Sequence, residues 1–121
     1  MNTPRVLVVE DNERNLKLVR DVLRFAGFEV LEARTGERAV EIAAAERPDL
    51  VLMDLRLPGI DGDEALRRIR ANSQAVGLPV VALTASVMTE DRARILGAGF
   101  DGFLEKPINV REFPAQVRSY L

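Results

Sequence analysis

The chain has no cysteine and no histidine. It can therefore form no disulfide, no thiolate nucleophile, no cysteine- or histidine-ligated metal centre and no Ser-His-Asp triad. An excess of charge of either sign is also missing: 17 Lys and Arg stand against 19 Asp and Glu, a net charge of −2. No broad basic footprint favours nucleic acid. No apolar run approaches the ~20 residues needed to cross a bilayer, and Met1-Asn2-Thr3-Pro4 lacks the basic and apolar regions of a signal peptide. A cytoplasmic protein with neither nucleic acid nor membrane as partner is expected. The chemistry left to it is carboxylate, hydroxyl and amine, and a partner protein or small ligand is favoured.

What is present suits one domain spanning 1–121. A chain of 121 residues, 47% hydrophobic and 30% charged, is neither disordered nor membranous in composition, and can bury about two thirds of the surface its unfolded form exposes. Three stretches are apolar without alternation: Val6 to Val9, Leu50 to Met53 and Val80 to Leu83. Such runs suit strands buried on both faces of a parallel sheet. Phe28 to Ala33 nearly alternates, as an edge strand does, and Gly102-Phe103-Leu104-Glu105 is a short fifth strand.

Helices fall between the strands. The first carries Leu16, Val19, Val22, Leu23 and Ala26 at helical spacing, with Asn12 as cap and Gly27 as stop. Thr35 caps a second with Ala39, Val40, Ala43 and Ala44 as its buried stripe, ended by Arg47-Pro48. Asp61 caps a third that buries Ala65, Leu66 and Ile69, and Asn72 to Gly77 reads as the loop that follows. Thr89 caps a fourth bearing Ala93, Ile95 and Leu96. Asn109 and Glu112 read as a capping box for a fifth that holds Phe113, Val117 and Leu121, although Pro114 demands a distorted first turn or a later start. Alternating strands and helices imply a doubly wound α/β fold with right-handed crossovers. With the unbroken runs inside, the five-stranded parallel sheet takes the flavodoxin-like order 2-1-3-4-5, with five helices.

Four of the five strands end in a polar group, and in this topology all those ends lie on one rim, where such folds bind ligands. Glu10-Asp11, Asp54, Thr84 and Lys106 are those groups. Taken singly, each has a structural reading. Asp54 can begin a turn before Pro58-Gly59, Glu10-Asp11 can favour a helix N-terminus, Thr84 can be one more β-branched strand residue, and Lys106 a solvated loop charge. Four separate strands contributing complementary groups to one rim outweigh those separate readings. Carboxylates gathered there repel by up to ~4 kcal/mol per close pair at a separation of 4 Å and an effective dielectric of 20. A hard cation such as Mg²⁺ and the Lys106 amine answer that repulsion. A carboxylate facing a metal, an amine and a hydroxyl can attack a phosphoryl group, which makes Asp54 a candidate nucleophile and an acyl phosphate its product.

VLVVEDN, DLVLMDLRLPGIDG, VVALTA and FLEKP together resemble the receiver domain of two-component response regulators over essentially the whole chain. The resemblance implies Asp54 as phosphoacceptor, Glu10, Asp11 and Asp54 with the Arg56 carbonyl as Mg²⁺ ligands, and Thr84 and Lys106 as contacts of the phosphoryl group. It implies a cis Lys106-Pro107 bond. The donor would be a histidine kinase or histidine phosphotransfer protein, and the output a protein target met through the fourth helix, fifth strand and fifth helix. Where many receivers carry a switching tyrosine this chain has Phe103. It ends with the fifth helix, as stand-alone receivers do, while EDNERNLKLV and KPI also resemble receivers attached to hybrid kinases. Small phosphatases of the haloacid dehalogenase type also use a strand-end aspartate, but Arg56 occupies the position of their second acid. A pseudo-receiver usually lacks the aspartate or the lysine, and both are present here.

Overall fold

The computed structural model describes residues 3–72, 77–85 and 89–121, without the side chains of 89 and 90. Five strands, β1 (Arg5–Val9), β2 (Glu29–Ala33), β3 (Leu50–Asp54), β4 (Val80–Thr84) and β5 (Gly102–Glu105), alternate with helices α1 (Glu13–Phe25), α2 (Gly36–Glu46), α3 (Gly62–Ala71), α4 (Thr89–Gly97) and α5 (Phe113–Arg118). The sheet is parallel throughout and its order is β2-β1-β3-β4-β5, as the distribution of apolar runs required.

The absence of alternation in the central strands has a direct cause. Val6, Val8, Leu50, Leu52, Val81 and Leu83 point to one face, where α1 and α5 cover them with Leu16, Val19, Leu23, Phe113 and Val117. Leu7, Val9, Val51, Met53, Val80 and Ala82 point to the other, where α2, α3 and α4 supply Ala39, Ile42, Leu66, Ile69 and Ile95. Both faces are dry, so both phases of each strand are apolar.

Three of the helix caps are present, while the capping box at Asn109 and Glu112 is not that of α5, whose N-cap residue, Glu112, makes no side-chain cap hydrogen bond. Asn12, Thr35 and Asp61 each accept a hydrogen bond from the backbone N–H three residues on, which satisfies a donor that the helix cannot. Gly27 follows α1 with φ +96°. Two expectations about side chains fail. In α2 the buried stripe includes Ile42, whereas Ala44 is exposed. Leu121 lies beyond α5 and is exposed. Asn109 accepts from the Arg111 and Glu112 amides, but the helix proper begins at Phe113. That later start puts Pro114 in the first turn, where its missing N–H costs nothing. The Thr89 cap, Ser86 and most of the loop after Asn72 fall outside the described residues.

Candidate functional site

Because all five strands run the same way, their C-terminal ends share one rim. Asp54 and Thr84 are the last residues of β3 and β4; Glu10 and Lys106 immediately follow β1 and β5. The parallel register sets Asp54 beside Leu83, and Thr84 beside Glu105, which brings Lys106 within reach. The Lys106–Pro107 peptide is cis, as the resemblance implied.

The amine lies between two acids. Lys106 Nζ is 2.8 Å from Asp54 Oδ2 and 3.0 Å from Glu10 Oε1. Asp54 Oδ1 accepts the Arg56 backbone N–H at 3.0 Å, so both oxygens of that carboxylate are held. Glu10 is only 1% exposed, and its Oε2 has no hydrogen-bond partner among the described residues. Asp11 stands at the outer lip, exposed to solvent. A cleft of about 360 Å³ opens from Asp54 between β3 and α4, bordered by Arg56, Asp63, Thr84, Arg94 and Lys106. Its far wall is closed by an ion pair that sequence reasoning missed, Arg94 to Asp63 at 3.1 Å. Those two residues are 31 positions apart on different helices, and nothing local marks them as a pair.

The electrostatics are unequal for the two buried acids. Burial raises the Glu10 carboxyl from 4.5 to about 7, reinforced by its contact with Asp54 and opposed by Lys106. Burial pushes Asp54 upward too, but the hydrogen bonds from Glu10, Lys106 and the Arg56 amide outweigh it and hold Asp54 below its ordinary value. Burial alone would lower Lys106, yet its bonds to Asp54 and Glu10 raise it. Near neutrality Asp54 is thus anionic, Lys106 cationic, and Glu10 poised between its two forms.

Glu10, Asp11 and Asp54 each offer a carboxylate oxygen, and these lie within 4.8 Å of one another. The set is all hard oxygen, with an unpartnered buried oxygen on Glu10, and it fits a small divalent cation of the Mg²⁺ kind.

A strand-end aspartate clamped by a lysine, beside two further acids on a 2-1-3-4-5 sheet, defines a class, and the chain belongs to the response regulator receiver domain family, whose model matches residues 6–118. It is thus a receiver domain of two-component signalling. Among its relatives, the polar-differentiation response regulator DivK of Brucella anthropi is 40% identical over 116 residues, covering 96% of this chain and 94% of that one. DivK of Brucella ovis is 39% identical over 119 residues, 98% of this chain and 97% of that. Among solved structures, the chemotaxis response regulator CheY4 of Vibrio cholerae superposes with a TM-score of 0.93 at 28% identity, over 99% of this chain and 100% of the other. The receiver domain of the sensor histidine kinase PA1611 from Pseudomonas aeruginosa PAO1, which has a magnesium ion coordinated in its active site cleft, gives 0.90 at 36% identity and covers 98% of each chain.

Proposed function

We propose that residues 1–121 form a phosphorylation-dependent switch in which Asp54 accepts a phosphoryl group from a phosphohistidine on another chain. The supporting observation is the clamp on Asp54: Lys106 on one oxygen and the Arg56 amide on the other keep the carboxylate ionised and fixed in direction. An ionised, oriented carboxylate at the floor of a cleft is the form that attacks phosphorus. In the transfer an Asp54 oxygen forms the new O–P bond while the N–P bond of the donor imidazole breaks, and the electron pair of that bond returns to the ring nitrogen. This chain has no histidine, so the donor is a histidine kinase or a histidine phosphotransfer protein.

Glu10, Asp11, Asp54 and the Arg56 carbonyl would hold Mg²⁺, and when bound it would neutralise the phosphoryl oxygens as charge gathers on them. Lys106 supplies a fixed positive charge beside Asp54, and Thr84, at the adjoining strand end, would supply a hydroxyl to a phosphoryl oxygen. Hydrolysis of the acyl phosphate resets the switch, so the chain catalyses its own loading and unloading without turning over a separate substrate.

The readout is a protein target bound through α4, β5 and α5. Phe103 on β5 is half-buried, with the guanidinium of Arg92 from α4 5.5 Å above its ring. The test is incubation with Mg²⁺ and acetyl phosphate followed by intact mass measurement. One added phosphoryl group on the parent and none on Asp54→Asn is expected; equal labelling of both proteins, or no labelling of either, overturns the assignment.

A further inference from the structure

The loop between β3 and α3, residues 55–61, carries both backbone groups of Arg56 that the site needs: the N–H on Asp54 and the carbonyl proposed as a metal ligand. Asp54 sits in the sheet and cannot wander, but the loop is outside it. What holds the loop comes from α2. Glu37, in the first turn of α2, reaches across with its carboxylate and accepts the backbone N–H of Ile60 at 2.8 Å, over a separation of 23 residues. Among the side-chain hydrogen bonds of the described residues, this is the one that ties the loop to a distant element. Glu37 takes no part in the cleft itself.

Three glycines show how little clearance the arrangement leaves. Gly59 has φ +74°, and a Cβ there would stand 2.7 Å from both Glu37 carboxylate oxygens. A Cβ on Gly36, the residue before Glu37, would meet Ile60 Cγ1 at 2.6 Å and the Ile60 carbonyl at 2.9 Å. On Gly62, where the loop enters α3, a Cβ would lie 2.8 Å from the Asp54 carbonyl. Contacts that tight leave the loop pressed onto α2 at one end and onto β3 at the other. The Glu37 carboxylate covers the stretch between them.

We infer that Glu37 is a positioning residue of the phosphorylation site: by holding Ile60 it fixes the 55–61 loop, and through the loop it fixes the N–H and carbonyl of Arg56 relative to Asp54. The hydrogen bond is charge-assisted, and its loss leaves a loop with a left-handed glycine and no side-chain tether to α2. Groups that orient a metal ligand without touching the metal commonly change affinity about tenfold or more when removed. The inference rests on the reading of Asp54 and its neighbours given above.

The test compares parent, Glu37→Ala, Glu37→Gln and Val117→Ala. Val117, on the inner face of α5 in the opposite layer, is fully buried, so its truncation destabilises the fold without touching the loop. Two readouts are taken: Mg²⁺ affinity from amide chemical-shift titration, and hydrogen exchange of the Arg56 and Ile60 amides in metal-free protein. Glu37→Ala is expected to bind Mg²⁺ about tenfold more weakly and to exchange both amides faster. Glu37→Gln, which keeps an oxygen acceptor, is expected to stay within about threefold of the parent; Val117→Ala is expected to lower thermal stability and leave both readouts unchanged. Parent-like affinity and exchange in Glu37→Ala overturn the inference. So does an equal loss in Glu37→Gln, which would make charge rather than the bond responsible, or an equal loss in Val117→Ala, which would make it general loosening. If the parent shows no Mg²⁺ response, the metal reading fails instead, and the amide exchange of Glu37→Ala still decides whether the residue positions Arg56.

Discussion

Replacing Glu10 by Gln should change how stability depends on pH, in a window that this composition keeps unusually quiet. The chain has no histidine, and among the described residues Glu10 is a side chain whose displaced titration falls between about pH 5 and 8. Its carboxyl titrates near 7 in the folded protein against 4.5 for the unfolded reference. Between those values the folded state binds more protons than the unfolded one, so stability falls as pH rises from 4.5 toward 7 and then levels off. The full displacement corresponds to about 3 kcal/mol at about 1.4 kcal/mol per pH unit, and most of it is spent between pH 5 and 8. The other two buried groups do not blur this window. Asp54 is shifted downward, so its contribution is present above its ordinary value and is lost only in stronger acid. Lys106 is shifted upward, so its contribution is lost only in strong base.

Urea unfolding of metal-free protein at about pH 5 and 8 reads the effect directly. The parent should lose about 2 to 3 kcal/mol across that interval, and Glu10→Gln should lose little, because its amide cannot ionise yet can donate to Asp54 as the protonated acid does. At pH 8 the variant should be the more stable of the two. Parallel profiles for parent and Glu10→Gln would refute the assignment of that proton to Glu10.

Three further outcomes follow from the same geometry. Mg²⁺ binding should release close to one proton at about pH 6 and almost none at about pH 8.5, measured by calorimetry in buffers of different ionisation enthalpy; proton-independent binding would separate Glu10 from the metal site. Arg56→Ala should alter the lifetime of the phosphoryl group, followed by intact mass after the donor is removed, without preventing phosphorylation, since its backbone N–H and carbonyl survive; an unchanged decay rate would leave the side chain without a part. Gly62→Ala should destabilise by about 1 to 3 kcal/mol in urea unfolding, because the new Cβ meets the Asp54 carbonyl at 2.8 Å and backbone cannot give way cheaply; a parent-like midpoint would show that the loop relaxes freely.

How much of this could be read from the letters depends on whether a residue acts within its own element. The unbroken runs of β1, β3 and β4 announced burial on both faces, and from that the strand order and the rim bearing Glu10, Asp54, Thr84 and Lys106 followed. The caps at Asn12, Thr35 and Asp61 were legible for the same reason, since each acts on an amide three positions away. The stripe of α2 was not, because alanine is small enough to be tolerated in or out of the core, and Ile42 rather than Ala44 turned inward. The ionisation of the site was beyond reach as well. Sequence places Glu10 beside Asp54, but only the structure shows that burial dominates at Glu10 while the hydrogen bonds from Glu10, Lys106 and the Arg56 amide outweigh it at Asp54, so that one acid is raised and its neighbour lowered. Glu37 is the extreme case. Its partner is the backbone N–H of Ile60, a group every residue but proline possesses, so no letter at position 60 could have marked the bond. A trace of it survives only in the glycine at position 59, whose left-handed turn leaves room for a carboxylate where a Cβ would otherwise stand.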